Sequence, residues 1–164
     1  MSDTTDFYLC VSDPFGHGLS YTQFEYSNLV LNTSSIHPCD VIGLNVTVAN
    51  TGKVDGDEVI QVYAKQPDAT VPVPRVRLVA FERVFVAAGS SATVELAVVP
   101  ETHTAVLDNS FEEIYYGRDA VVVEKGGLQL FVGGWQPDFP ASGGSVLSAN
   151  ATVTATATVV SCGL

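Results

Sequence analysis

At 164 residues the chain has the size of one domain, long enough to bury roughly 70% of its unfolded surface. Its 46% hydrophobic and 15% charged content calls for an ordered core and excludes a disordered acidic segment. A formal net charge of −11 repels phosphate backbones and anionic headgroups and leaves a neutral polysaccharide almost untouched, so neither nucleic acid nor a membrane surface is an expected partner.

Residues 1–22 read as an ordered linker. Pro14-Phe15-Gly16-His17-Gly18-Leu19-Ser20-Tyr21 mixes turn formers with large apolar side chains, which suits a segment that packs down by its aromatics. A sandwich domain is expected over 23–164, beginning with a strand near Gln23–Asn32 and a turn around Pro38. The next strand alternates Ile42, Leu44, Val46 and Val48 against Gly43, Asn45, Thr47 and Ala49, the two-residue period of a half-buried strand. Asn50-Thr51-Gly52 and Asp55-Gly56-Asp57 allow a reversal, and Val59 to Tyr63 supply a return strand, so the stretch predicts a hairpin.

Pro67, Pro72 and Pro74 predict an exposed, extended crossover between residues 67 and 77. Strands are expected at Leu78–Val86 and, after the Ala88-Gly89-Ser90 turn, at Ala92–Val99 with Ala92, Val94, Leu96 and Val98 inward. Pro100–Arg118 is a long loop with room for a helical turn. Ala120–Glu124 and Leu128–Val132 predict a second hairpin across Lys125-Gly126-Gly127. After a loop carrying Trp135, an extra C-terminal strand is expected over residues 151–159, with alanines and valines on one side and threonines on the other. Strands with turn signals about every ten residues, and no amphipathic helix, read as an all-β, immunoglobulin-like antiparallel β-sandwich.

Cys10, Cys39 and Cys162 match no zinc pattern; one disulfide can form in any of three pairings. Sequons at Asn32, Asn45 and Asn150 point to glycosylation and a secreted, extracellular history. The N-terminus lacks a basic, then apolar, signal pattern, so the expectation is a piece of a longer secreted protein.

No chemistry stands out. Sugar hydrolysis needs two carboxylates about 5 to 9.5 Å apart across a bond. Asp55, Asp57 and Glu58 are better read as turn-capping, and Glu112 and Glu113 as loop solvation. His17, His37 and His103 lack metal-ligand spacing, and neither metal nor cofactor is expected. Tyr115, Tyr116 and Trp135 are the residues that invite a binding reading, because aromatic faces offer flat apolar surface to pyranose rings.

The segment from Pro14 to Thr22, with Phe24 and Tyr26, resembles the approach to the C-terminal domain of glycoside hydrolase family 3 enzymes. The stretch from Val48 to Tyr63 is similar to that domain's central hairpin, with Asn50-Thr51-Gly52 and Gly56-Asp57-Glu58-Val59 in place. Pro74, Leu78, Phe81, Arg83, Val84 and Gly89 match its next stretch, and Leu130, Val132 and Gly133 its closing strand. Ala80 stands where the family usually has glycine. Gly133-Gly134-Trp135-Gln136-Pro137 and the threonine-rich strand look more like the β-xylosidase branch.

The resemblance implies a fibronectin type III-like accessory domain of a β-glucosidase or β-xylosidase, with no catalytic residue of its own. A barrel holding the family's nucleophile takes ~250 residues and cannot fit here. The partner implied is the enzyme's catalytic domains, with Phe15, His17, Leu19 and Tyr21 as docking residues. The alternative is a module that holds plant cell-wall polysaccharide on Tyr115, Tyr116 and Trp135.

Overall fold

The computed structural model describes residues 16–106, 121–137, 146–158 and 162. In chain order its strands are β1 (Phe24–Leu31), β2 (Ser35–Ile36), β3 (Ile42–Asn50), β4 (Gly56–Lys65), β5 (Arg77–Val86), β6 (Ser91–Val98), β7 (Ala105–Val106), β8 (Val121–Val123), β9 (Gly126–Gly133), β10 (Leu147–Val153) and β11 (Ala157–Thr158). A single 3-10 turn, Pro100–His103, precedes β7. One sheet has the order β1-β3-β6 and a second the order β2-β10-β9-β4-β5; a small third sheet is β11-β8-β7. All pairings are antiparallel except that of β10 with the short β2.

The expected alternation explains the layers. Ile42, Leu44, Val46 and Val48 are fully buried on β3, and Val94, Leu96 and Val98 join them from β6. They meet Ile60, Val62, Leu128, Leu130, Val132, Ala151 and Val153 of the second sheet in one continuous core. This is the all-β sandwich expected from the residue pattern.

The pairing of neighbours differs from expectation in three places. The β3–β4 stretch is not a hairpin. β3 pairs with β1 and β6, whereas β4 pairs with β5 and β9, so Thr51–Asp55 carries the chain from one sheet to the other. The proline-rich segment is the reverse case. It joins β4 to its own antiparallel neighbour β5, so it is a long hairpin loop and not a crossover. Lys125-Gly126-Gly127 is also a change of sheet: β8 pairs with β7 and β11, and β9 with β4 and β10.

The threonine-rich strand breaks as well. Ala151 and Val153 face inward as expected, but β10 stops at Val153. There the Thr154 backbone N–H and hydroxyl both donate to the Ile36 carbonyl, and the Thr156 hydroxyl accepts from the Lys125 N–H. These bonds turn the chain toward β8. Two bulges add local twist. One lies in β1, where Asn28 takes φ 54°. The other lies where Ala80 faces Val62 and Leu78 faces Tyr63. Of the three cysteine pairings, the structure forms Cys39–Cys162, with Cα atoms 5.2 Å apart; Cys10 lies outside the described residues.

Candidate functional site

Asn50 ends β3 and is buried to 1% exposure, so its amide must find partners in the protein. It finds four. Its Nδ2 donates to the Val54 and Val86 carbonyls, each at 2.9 Å, and its Oδ1 accepts from the Gly52 N–H and the Thr22 hydroxyl. The Asn-Thr-Gly signal therefore folds the inter-sheet connection around one side chain and ties down the residue just before β1.

Thr22 is thus one anchor of the linker, and Gly16 is the other. Gly16 has φ 89°, and a methyl group there would overlap the Gly134 carbonyl oxygen and the Trp135 backbone, so glycine is required on both counts. Between the anchors, residues 17–21 form a strap past the end of β9. The strap is not held by its aromatic residue: Tyr21 and Leu19 are almost wholly exposed, and His17 is exposed too. Phe15 lies outside the described residues.

Beside the strap, Tyr26 of the first sheet donates to Glu58 Oε1 of the second, bridging the two layers at the edge of the core. Burial pushes the Glu58 carboxyl above its ordinary value, with the Tyr26 hydrogen bond acting the other way. Burial, then the Glu58 charge, raises the Tyr26 phenol. Gly134 lies against this pair, and a side chain there would collide with Glu58 Oε1. Gln61 Nε2 donates to the Gly134 carbonyl at 2.8 Å, and the Tyr63 hydroxyl donates to Gln61 Oε1 at 2.6 Å.

The acids of the sequence are dispersed in role. Asp55 caps the Ala88 N–H at 2.8 Å, Asp57 pairs with Arg83 at the surface, and Glu58 holds Tyr26. Turn-capping is therefore correct for Asp55. Glu112 and Glu113 lie outside the described residues, as do Tyr115 and Tyr116. Trp135 is half-buried, and its enclosed Nε1 has no hydrogen-bond partner among the described residues, so that edge of the indole turns inward. His103 is buried at 1% exposure in the 3-10 turn; burial first, and then the Arg77 charge, lower its pKa. It is a packing residue, as expected. Asn32, Asn45 and Asn150 are all exposed. Among the described residues no group of His, Cys, Asp and Glu could hold a metal ion.

The residues that motif reading passed over lie on the outer face of β4 and β5. Register places Phe85 opposite Asp57, Arg83 opposite Val59, Phe81 opposite Gln61 and Leu78 opposite Tyr63. Phe81 is 68% exposed and Phe85 61%, with Val59 and Leu78 also open. Alternation alone does not mark this face, because Arg83 shares the parity of Phe81 and Phe85 while Glu82 carries the opposite one.

Comparison with known proteins follows the same lines. The fibronectin type III-like domain family matches residues 58–136, from Glu58 beside the strap to Gln136 beyond Trp135. This stretch of the chain is similar to a fibronectin type III-like domain. The domain is 42% identical over 81 residues to thermostable β-glucosidase B of Acetivibrio thermocellus, which covers 49% of this chain and 11% of that protein. It is 33% identical over 124 residues to a putative β-xylosidase of Formosa agariphila, covering 71% of this chain and 16% of that one. Among solved structures it resembles the family 3 β-glucosidase of Bifidobacterium adolescentis, with TM-score 0.66, 28% identity and coverage of 85% of this chain and 18% of that chain. The matched segment thus spans less than a fifth of each of these glycosidase chains.

Proposed function

We propose that this domain is an accessory domain of a family 3 glycoside hydrolase of β-glucosidase or β-xylosidase type, docking onto the catalytic domains and stabilising them. The observation that carries the reading is the strap. Its two ends are fastened to the sandwich, while Leu19 and Tyr21 are held out in solvent. Ordering a segment while leaving its largest apolar side chains exposed costs free energy with no return in the isolated domain. Burying each against a neighbour would contribute about 1.5–3 kcal/mol. Phe15 and His17 belong to the same proposed docking segment. A secreted, extracellular setting fits the intramolecular disulfide and the exposed sequon asparagines Asn32, Asn45 and Asn150.

The test is to express the glycosidase catalytic region encoded in the same reading frame, with and without residues 1–164. The domain is expected to raise the melting temperature and to add no turnover of its own on aryl β-glucosides or β-xylosides. Equal melting temperatures, or the lack of such a region in frame, would reject the reading.

A further inference from the structure

The outer face of β4 and β5 presents apolar surface that the sandwich does not use. Phe81 and Phe85 point away from the core on the edge strand of the five-stranded sheet, with Val59 and Leu78 on the same side. Isolated exposed apolar residues are ordinary, but a cluster on one face of one strand pair marks a contact surface. Charges interrupt it: Arg83 and Asp57 pair between the two phenyl rows, while Glu82, opposite Ile60, is exposed on the other side of the edge strand. Such charges discourage another strand from adding to the edge, so an occupant would meet side chains and not the backbone.

The face continues toward the strap. At the Thr22 anchor the strap lies over the core-facing side of β4, where a methyl group at Gly56 would come 3.1 Å from the Thr22 side chain. At the other anchor, Gln61 donates to the Gly134 carbonyl against which Gly16 packs, and Gln61 sits opposite Phe81. The Gly16 anchor of the strap thus adjoins the Phe81 row. A net charge of −11 on every copy disfavours self-association through this face. In relatives of this domain more than four-fifths of the chain lies outside the matched segment and is available to cover it.

We propose that the face carrying Val59, Leu78, Phe81 and Phe85, together with the strap, is the surface on which the catalytic region of the parent glycosidase rests. This rests on the accessory-domain reading above and adds to it the residues that make the contact.

The experiment places Phe81→Asp and Phe85→Asp together in the full glycosidase chain, with Ser91→Asp and Ala97→Asp together, both exposed on β6 of the opposite sheet, as the charge-matched control. The double variant is expected to lower the melting temperature of the catalytic region to that of the chain lacking the domain, and the control to leave it unchanged. The isolated 164-residue chain carrying the double substitution is expected to melt as wild type, since both side chains are exposed. If deleting the domain lowers the melting temperature but the double variant does not, the surface is wrong and the accessory role stands. If deletion has no effect, the accessory role itself fails. Sedimentation showing that the isolated chain dimerises and the double variant does not would make a second copy the occupant and overturn the proposal.

Discussion

Asn50 shows how one side chain can set a connection. Its amide satisfies two carbonyls, one backbone N–H and one hydroxyl, and no smaller residue reproduces that set. Asn50→Ala leaves buried acceptors unpaired and is expected to destabilise the domain by about 2–3 kcal/mol in urea unfolding. Glu58 carries a different signature. Because burial raises its folded-state pKa above the ordinary 4.5, the folded state holds the proton more tightly. The stability this contributes is complete below pH 4.5 and is lost as pH rises through the folded value. Glu58→Gln keeps an acceptor for Tyr26 and removes the buried charge. Thermal melts are therefore expected to show the variant gaining on wild type between pH 4.5 and 7, with no charge-related gain below that window. The lowered pKa of His103 acts in the opposite sense, costing stability as pH falls below 6.5, and cancels when the two proteins are compared at each pH.

At the scale of elements, period and partner proved to be separate kinds of information. Alternation over Ile42–Val48 and Ala92–Val98 marked the buried faces, because a strand turns its side chains regardless of its neighbour. Pairing depends on what the connection does. Thr51–Asp55 looks like a reversal but carries the chain between sheets, since Asn50 draws the Val54 and Val86 carbonyls beneath it. That convergence of distant residues has no local sequence signal. The break after Val153 is similar: the alternation runs on, but hydrogen bonds from Thr154 to Ile36 and from Lys125 to Thr156 redirect the chain. For the strap, composition pointed to an ordered linker, but only coordinates show that Gly16 and Thr22 hold it and that Leu19 and Tyr21 do not. The Cys39–Cys162 bond joins the turn before β3 to the C-terminal region across 123 residues of sequence. Cys39→Ser, or reduction of the wild type, is expected to lower unfolding stability by about 3–5 kcal/mol in guanidinium titrations.

On the scale of the whole molecule, the sandwich keeps two kinds of surface apart. The first sheet shows polar residues outward, such as Asn45, Thr93 and Glu95, whereas the β4–β5 face and strap expose phenylalanine, leucine and tyrosine. Asn45, the sequon asparagine on β3, lies on that first sheet. A glycan there would sit away from the proposed contact.

The disulfide also governs how the domain would bear load. Tension applied between the strap and the C-terminal region finds residues 39–162 closed into a covalent loop. Among the described residues the strap, β1 and β2 lie outside it, roughly 80 Å of chain at ~3.5 Å per residue. Once that slack is drawn out, the β3-to-β10 body cannot unravel end to end while the bond is intact. Under oxidising conditions the domain would act as a tether of limited reach, and reduction would release the remainder of the chain.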